Sequence, residues 1–85
     1  MKIGVIGVGN IGKAIISGLA KSAFVPESNI IISDIEKSNL ELIKSSFPSI
    51  QSSTQNKAAA QADIVIVAVK PWLVGGVLTD IAPLL

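Results

Sequence analysis

The stretch from Lys2 to Lys21 constrains this chain more than any other. A short β-favouring run, with Ile3, Val5 and Ile6 as its apolar members, ends in Gly7-Val8-Gly9-Asn10-Ile11-Gly12, and a helical pattern begins at once. Three glycines at this spacing, between a strand and a helix, meet three different requirements. Gly7 permits the sharp exit from the strand, and Gly9 lets backbone approach a pyrophosphate with no Cβ in the way. Gly12 lets the new helix pack closely on a sheet. The helix start then offers unpaired N–H groups and the positive end of its dipole. The pattern predicts a strand over 2–6, a helix over 10–22 and a dinucleotide-binding turn between them. A glycine-rich turn without a ligand is the alternative. The helix is expected to bury Ala14, Ile15, Gly18 and Leu19, with Lys13, Ser17 and Lys21 elsewhere.

The same alternation continues downstream. Residues 23–28, with Pro26 excluding helix, read as a connection. Residues 29–33 are apolar on both faces, as a buried parallel strand is. Residues 36–47 form an amphipathic helix with Leu40, Ile43 and Phe47 as its stripe, stopped by Pro48. A short polar strand over 49–53 leads to a brief helix through Ala62, capped by Thr54 or Asn56. The β-branched run 63–69 is the strongest strand signal in the chain. Pro71 suits a first helical turn, and a last helix over 72–81 is expected to turn Val74, Val77, Leu78 and Ile81 inward. Gly75 and Gly76 weaken it.

Strands alternating with helices in this way predict an α/β fold: a partial, Rossmann-like, doubly wound parallel sheet in the order 3-2-1-4. Strand three is a polar edge. Strand four is an apolar edge, and proteins normally avoid leaving one bare. The expectation is therefore a dinucleotide-binding domain over residues 1–85, truncated before a fifth strand. Failing that, another chain covers the edge, by self-association through residues 64–69.

Composition narrows the function classes. With 85 residues there is room for one small domain. With neither cysteine nor histidine, a disulfide frame, a thiolate metal site and an imidazole acid–base group are all excluded. A net charge of +1 from 7 basic and 6 acidic residues, scattered along the chain, argues against a nucleic-acid partner. Glycines interrupt the N-terminal apolar run, so a signal peptide and a membrane span are set aside and a cytoplasmic protein is expected.

Two further positions bear on chemistry. Asp34 ends the second strand, 22 residues beyond Gly12. A carboxylate there accepts hydrogen bonds from ribose hydroxyls and repels a 2′-phosphate, which favours NAD, although Lys37 offsets the repulsion. Asp34 also suits a helix cap, and the two roles are compatible; Asn10 is equally a cap or a ligand contact. Ala68-Val69-Lys70-Pro71 ends strand four at the switch point of the sheet, where ligands of open α/β sheets bind. Lys70 is placed for a phosphate or a nicotinamide ribose, or is a solvated lysine at a strand end. No nucleophile–base pair or carboxylate dyad is present. Hydride transfer asks little of the protein beyond placing the cofactor.

Taken together, residues 7–19, Ile-Ile-Ile-Ser-Asp at 30–34, Asn56 and Ile-Val-Ala-Val-Lys-Pro at 66–71 resemble the N-terminal domain of pyrroline-5-carboxylate reductase. The resemblance covers essentially the whole chain. It implies NADP or NAD as cofactor and reduction of 1-pyrroline-5-carboxylate to L-proline in proline biosynthesis. It also implies that Ile6, Gly7, Val8, Gly9, Asn10, Ile11 and Gly12 hold the pyrophosphate. Ser33, Asp34 and Asn56 would then lie by the adenosine ribose, and Ala68, Val69, Lys70 and Pro71 along the nicotinamide half. Ile11 stands where methionine is usual, and Trp72 where a polar residue is common. Family members continue into a helical C-terminal domain that dimerises and forms the substrate pocket, so the chain alone is expected to be inactive, with no assignable catalytic residue. Another imine, ketone or alcohol oxidoreductase, or a non-enzymatic self-associating module, are the other readings.

Overall fold

The computed structural model describes residues 1–22 and 25–85; Ala23 and Phe24, within the expected connection, lie outside the described residues. Four strands, β1 (Ile3–Ile6), β2 (Ile30–Ser33), β3 (Gln51–Ser53) and β4 (Ile64–Val67), alternate with α1 (Asn10–Ser22), α2 (Lys37–Ser46), α3 (Asn56–Ala60) and α4 (Val74–Ile81). The sheet is parallel in the order β3-β2-β1-β4, as the alternation predicts. Ile3 of β1 pairs with Ile30 on one side and Ile64 on the other, and Ile6 with Ser33 and Val67, so the carboxyl ends of β2, β1 and β4 are level.

Period-two alternation divides the strands between two cores. Ile3, Val5, Ile30 and Ile32 face α1 and α2, where they meet Ile16, Leu40, Ile43 and Ile50. Ile6, Ile31, Val65 and Val67 face α3 and α4, and meet Ala59, Ala60 and Ile81. Helices therefore cover both faces, and β1 and β2 are buried throughout. Each buried isoleucine contributes about 1.5–3 kcal/mol relative to leaving it in water. The α2 stripe of Leu40, Ile43 and Phe47 packs as its spacing predicts.

The seat of α3 explains two small residues. A Cβ on Gly4 would collide with the carbonyl group of Ala59. Glycine in the middle of β1 and alanines along α3 thus let helix and strand approach backbone to backbone. Composition suggests only helix propensity for those alanines; their burial shows close approach.

Three expectations need correction. The buried face of α1 is Gly12 and Ile16, with Ile15, Leu19 and Ala20 packed beside it, whereas Ala14 and Gly18 are exposed. The cause is Gly12: a Cβ there would run into the Gly7 carbonyl oxygen. That contact sets the rotation of the helix, so the positions three, four, seven and eight beyond Gly12 come under the sheet. In α4, Ile81 is buried and Val77 packs beside it, but Leu78 is exposed, because the row of α4 that meets α3 is the one carrying Val77 and Ile81. Neither Thr54 nor Asn56 caps α3. Its N-cap is Gln55, whose amide donates to the Ser53 hydroxyl oxygen over 3.0 Å, while Asn56 is the first residue of the helix.

The two sheet edges differ as expected. β3 is polar and largely exposed. β4 is apolar and, among the described residues, pairs only with β1, leaving Ile64 with 42% of its surface exposed. No helix among the described residues is long and apolar enough to cross a membrane.

Candidate functional site

The chain leaves β1 through a turn that both neighbouring strands hold. The Gly7 amide donates to the Ser33 carbonyl and the Ala68 amide to the Ile6 carbonyl, each over 2.8 Å. Gly7 itself takes φ +95°, a left-handed conformation that side chains resist, and a Cβ on it would also strike Val69. The first helical hydrogen bond of α1 runs from the Lys13 amide to the Gly9 carbonyl, at 2.8 Å. The amides just before Lys13 are therefore the orphan donors of the first turn, and the dipole makes that end positive. Gly9 is exposed, with no atom within 4 Å of where a Cβ would stand. A bare backbone bend beside free donors is a cradle that a phosphate fits and a side chain would fill.

Asp34 locks this turn. Its Oδ2 accepts the Val8 amide at 2.8 Å and the Asn39 side-chain amide at 3.3 Å, and its Oδ1 accepts the Glu36 amide at 2.9 Å. One carboxylate thus joins the turn after β1 to the turn that opens α2. The capping role foreseen for Asp34 is not realised, since the N-cap of α2 is Glu36 and no side chain caps that helix. The Asp34 carboxylate instead closes a turn on the Glu36 amide and makes a long-range bond to Val8 that no local pattern signals. Since a carboxylate offers about four acceptor positions, room for a ribose hydroxyl remains. Beside it, the Ser33 hydroxyl is buried and donates to Oδ1 of Asn56 at 3.0 Å, holding the first turn of α3 against β2.

These groups border one open cleft of about 940 Å³ at the carboxyl end of the sheet. Of the residues singled out from sequence, Ile6, Gly7, Gly9, Asn10, Ile11, Asp34, Asn56, Ala68, Val69, Lys70 and Pro71 line it. Val8, Gly12 and Ser33 do not; they sit beneath it, buried, and shape it through the contacts just described. Ile35, Asn39, Trp72, Leu73, Val77 and Asp80 also line the cleft without having been foreseen as site residues. For Asn39 no motif exists, since its role comes only from the bond to Asp34.

A family model described as "NADP oxidoreductase coenzyme F420-dependent" matches residues 2–85. The chain belongs to that family. Among curated relatives it is 35% identical over 82 residues to pyrroline-5-carboxylate reductase 3 of Danio rerio, covering 96% of this chain and 28% of that protein. It is 36% identical over 81 residues to pyrroline-5-carboxylate reductase of Methanosarcina acetivorans, covering 94% and 30%. The chain therefore spans about 30% of the length of the curated relatives it matches. Among solved structures, the fold is similar to Plasmodium falciparum pyrroline carboxylate reductase with NADP bound, at TM-score 0.83 and 29% identity, over 100% of this chain and 30% of that one. A pyrroline-5-carboxylate reductase from Coxiella burnetii gives TM-score 0.82 and 30% identity, over 94% and 30%. The family, the sheet order and the resemblance drawn from the sequence agree.

Proposed function

We propose that this member of the oxidoreductase family is the nucleotide-binding part of an NAD(P)H-dependent reductase that converts 1-pyrroline-5-carboxylate to L-proline. The observation that carries the reading is the Gly7–Gly12 turn, whose free amides and bare Gly9 open onto the cleft. The NADP-bound Plasmodium relative, similar over the whole chain, supports it. In this reading the pyrophosphate rests on residues 7–12 above β1. Asp34, Ser33 and Asn56 serve the adenosine side beyond β2, and Ala68 to Pro71 the other nucleoside beyond β4. A bound dinucleotide supplies the hydride. The residues of this chain orient it and shield one side of it from water. Groups that hold the imine belong to sequence beyond these 85 residues, in keeping with the share of the relatives that the chain spans.

Both dinucleotides are expected to bind. Asp34 keeps a negative charge beside the ribose, against a 2′-phosphate, but spends most of its acceptor capacity within the protein. The cysteine-free composition accords with a cytoplasmic location. The exposed apolar edge of β4 supports a second element of the proposal, that the isolated chain self-associates along that strand.

Calorimetric titration of the chain with NADPH and NADH tests the cofactor reading. Saturable binding that Gly9→Val abolishes, with the circular dichroism spectrum unchanged, is the expected result. No binding of either dinucleotide by the folded chain would overturn it.

A further inference from the structure

Trp72 stands on the wall of the cleft with 76% of its surface exposed, and it is the only tryptophan in the chain. A side chain that buries 150–250 Å² elsewhere is rarely left to water without a use. Its backbone is well held. Pro71 fixes the first position of a 3-10 turn over Pro71–Leu73, and the Leu73 amide closes that turn on the Lys70 carbonyl at 2.8 Å. The Lys70 ammonium lies 5.9 Å from the centre of the indole ring, within cation–π range. The turn follows β4, two strands away from β2 and Asp34, a separation of about 10 Å across the sheet. A ligand whose phosphates sit over β1 and whose one nucleoside lies by Asp34 thus carries its other ring towards Trp72.

We propose that Trp72 is a positioning residue of the cofactor site, an aromatic wall on which the nicotinamide ring stacks. The proposal rests on the reading of the cleft as a dinucleotide site, and goes beyond it by assigning a residue to one ring. Leu73 and Val77 line the same part of the cleft and give that ring an apolar surround. Because the indole is mostly exposed, truncating it removes no core contact.

The test compares NADPH with 2′,5′-ADP, which has the adenosine half and no nicotinamide, in titrations of the wild-type chain, Trp72→Ala and Trp72→Phe. Emission from the single tryptophan reports on this site alone. NADPH should quench it and give sensitised dihydronicotinamide emission, whereas 2′,5′-ADP should bind and leave it unchanged. Trp72→Ala should weaken NADPH about 3- to 10-fold, the size of one stacking contact, without affecting 2′,5′-ADP, and Trp72→Phe should restore most of the loss. Equal weakening of both ligands, or NADPH binding that neither quenches the emission nor responds to Trp72→Ala, overturns the stacking role and leaves the cleft reading intact. Failure of the wild-type chain to bind either ligand overturns both.

Discussion

The Val8 amide donates to Oδ2 of Asp34 across 2.8 Å, a bond between residues 26 apart in sequence. It ties the glycine turn after β1 to the end of β2, and so makes the proposed phosphate cradle and the start of α2 one unit. Without Asp34 three donors lose their acceptor: the Val8 amide, the Glu36 amide and the Asn39 side chain. Asp34→Ala is expected to destabilise the chain by about 2 kcal/mol and to weaken NADPH by about tenfold as the turn loosens. Asp34→Asn, which keeps one acceptor oxygen, should lose about half as much stability. Urea unfolding at unchanged slope, with calorimetry of the dinucleotide, measures both effects.

Gly9 and Gly12 should separate cleanly, though both belong to one motif. A Cβ at position 12 meets the Gly7 carbonyl oxygen, a backbone atom that cannot move without the strand, whereas a Cβ at position 9 meets nothing within 4 Å. Gly12→Ala is therefore expected to cost about 2–4 kcal/mol of stability. Gly9→Ala should stay within about 0.5 kcal/mol of wild type while weakening dinucleotide binding. Thermal and denaturant unfolding of the two variants, beside a binding titration, checks the contrast.

Gly18 has no packing reason to be glycine. It lies inside α1, exposed, with open space where a Cβ would stand. Gly18→Ala should stabilise by about 0.5–1 kcal/mol, through helix propensity and a less disordered unfolded state. Calorimetric melting should show this as a rise of about 2–8 °C for a chain of this size.

Ile64 opens β4, partly exposed at the apolar edge of the sheet. A lysine in an edge strand discourages pairing with another chain. Ile64→Lys should shift the chain towards monomer in light scattering over a concentration series. A wild-type chain that is already monomeric at high concentration would refute self-association along this strand.

Much of this architecture was legible in the residues alone. Alternating strand and helix patterns lead to the 3-2-1-4 order by the handedness of parallel crossovers, and burial of the 30–32 run follows from its unbroken apolar character. Gly7 and Gly12 were legible because their roles depend on local backbone demands at fixed spacing, whereas the bond from Val8 to Asp34 was not, since it joins residues 26 apart. What stayed hidden depends on contacts between distant segments. Counting apolar residues on α1 favours Ala14 and Gly18, but the approach of Gly12 to the Gly7 carbonyl turns the helix so that Ile16 is buried instead. The Ser33–Asn56 bond and the Asn39–Asp34 bond join side chains whose proximity exists only once the sheet has formed. Leu78 fits the helical stripe in sequence, yet the row that packs on α3 is that of Val77 and Ile81, which leaves Leu78 exposed.

The near-contact of Gly4 with Ala59 reaches further than packing. It fixes the height at which α3 rides on the sheet, and Asn56, at the head of that short helix, rides with it. A methyl group added at the floor of β1 would thus lift the rim of the cleft several residues away. Positions 4, 59 and 56 should drift together or not at all when sequences of this kind diverge, although only Asn56 borders the cleft.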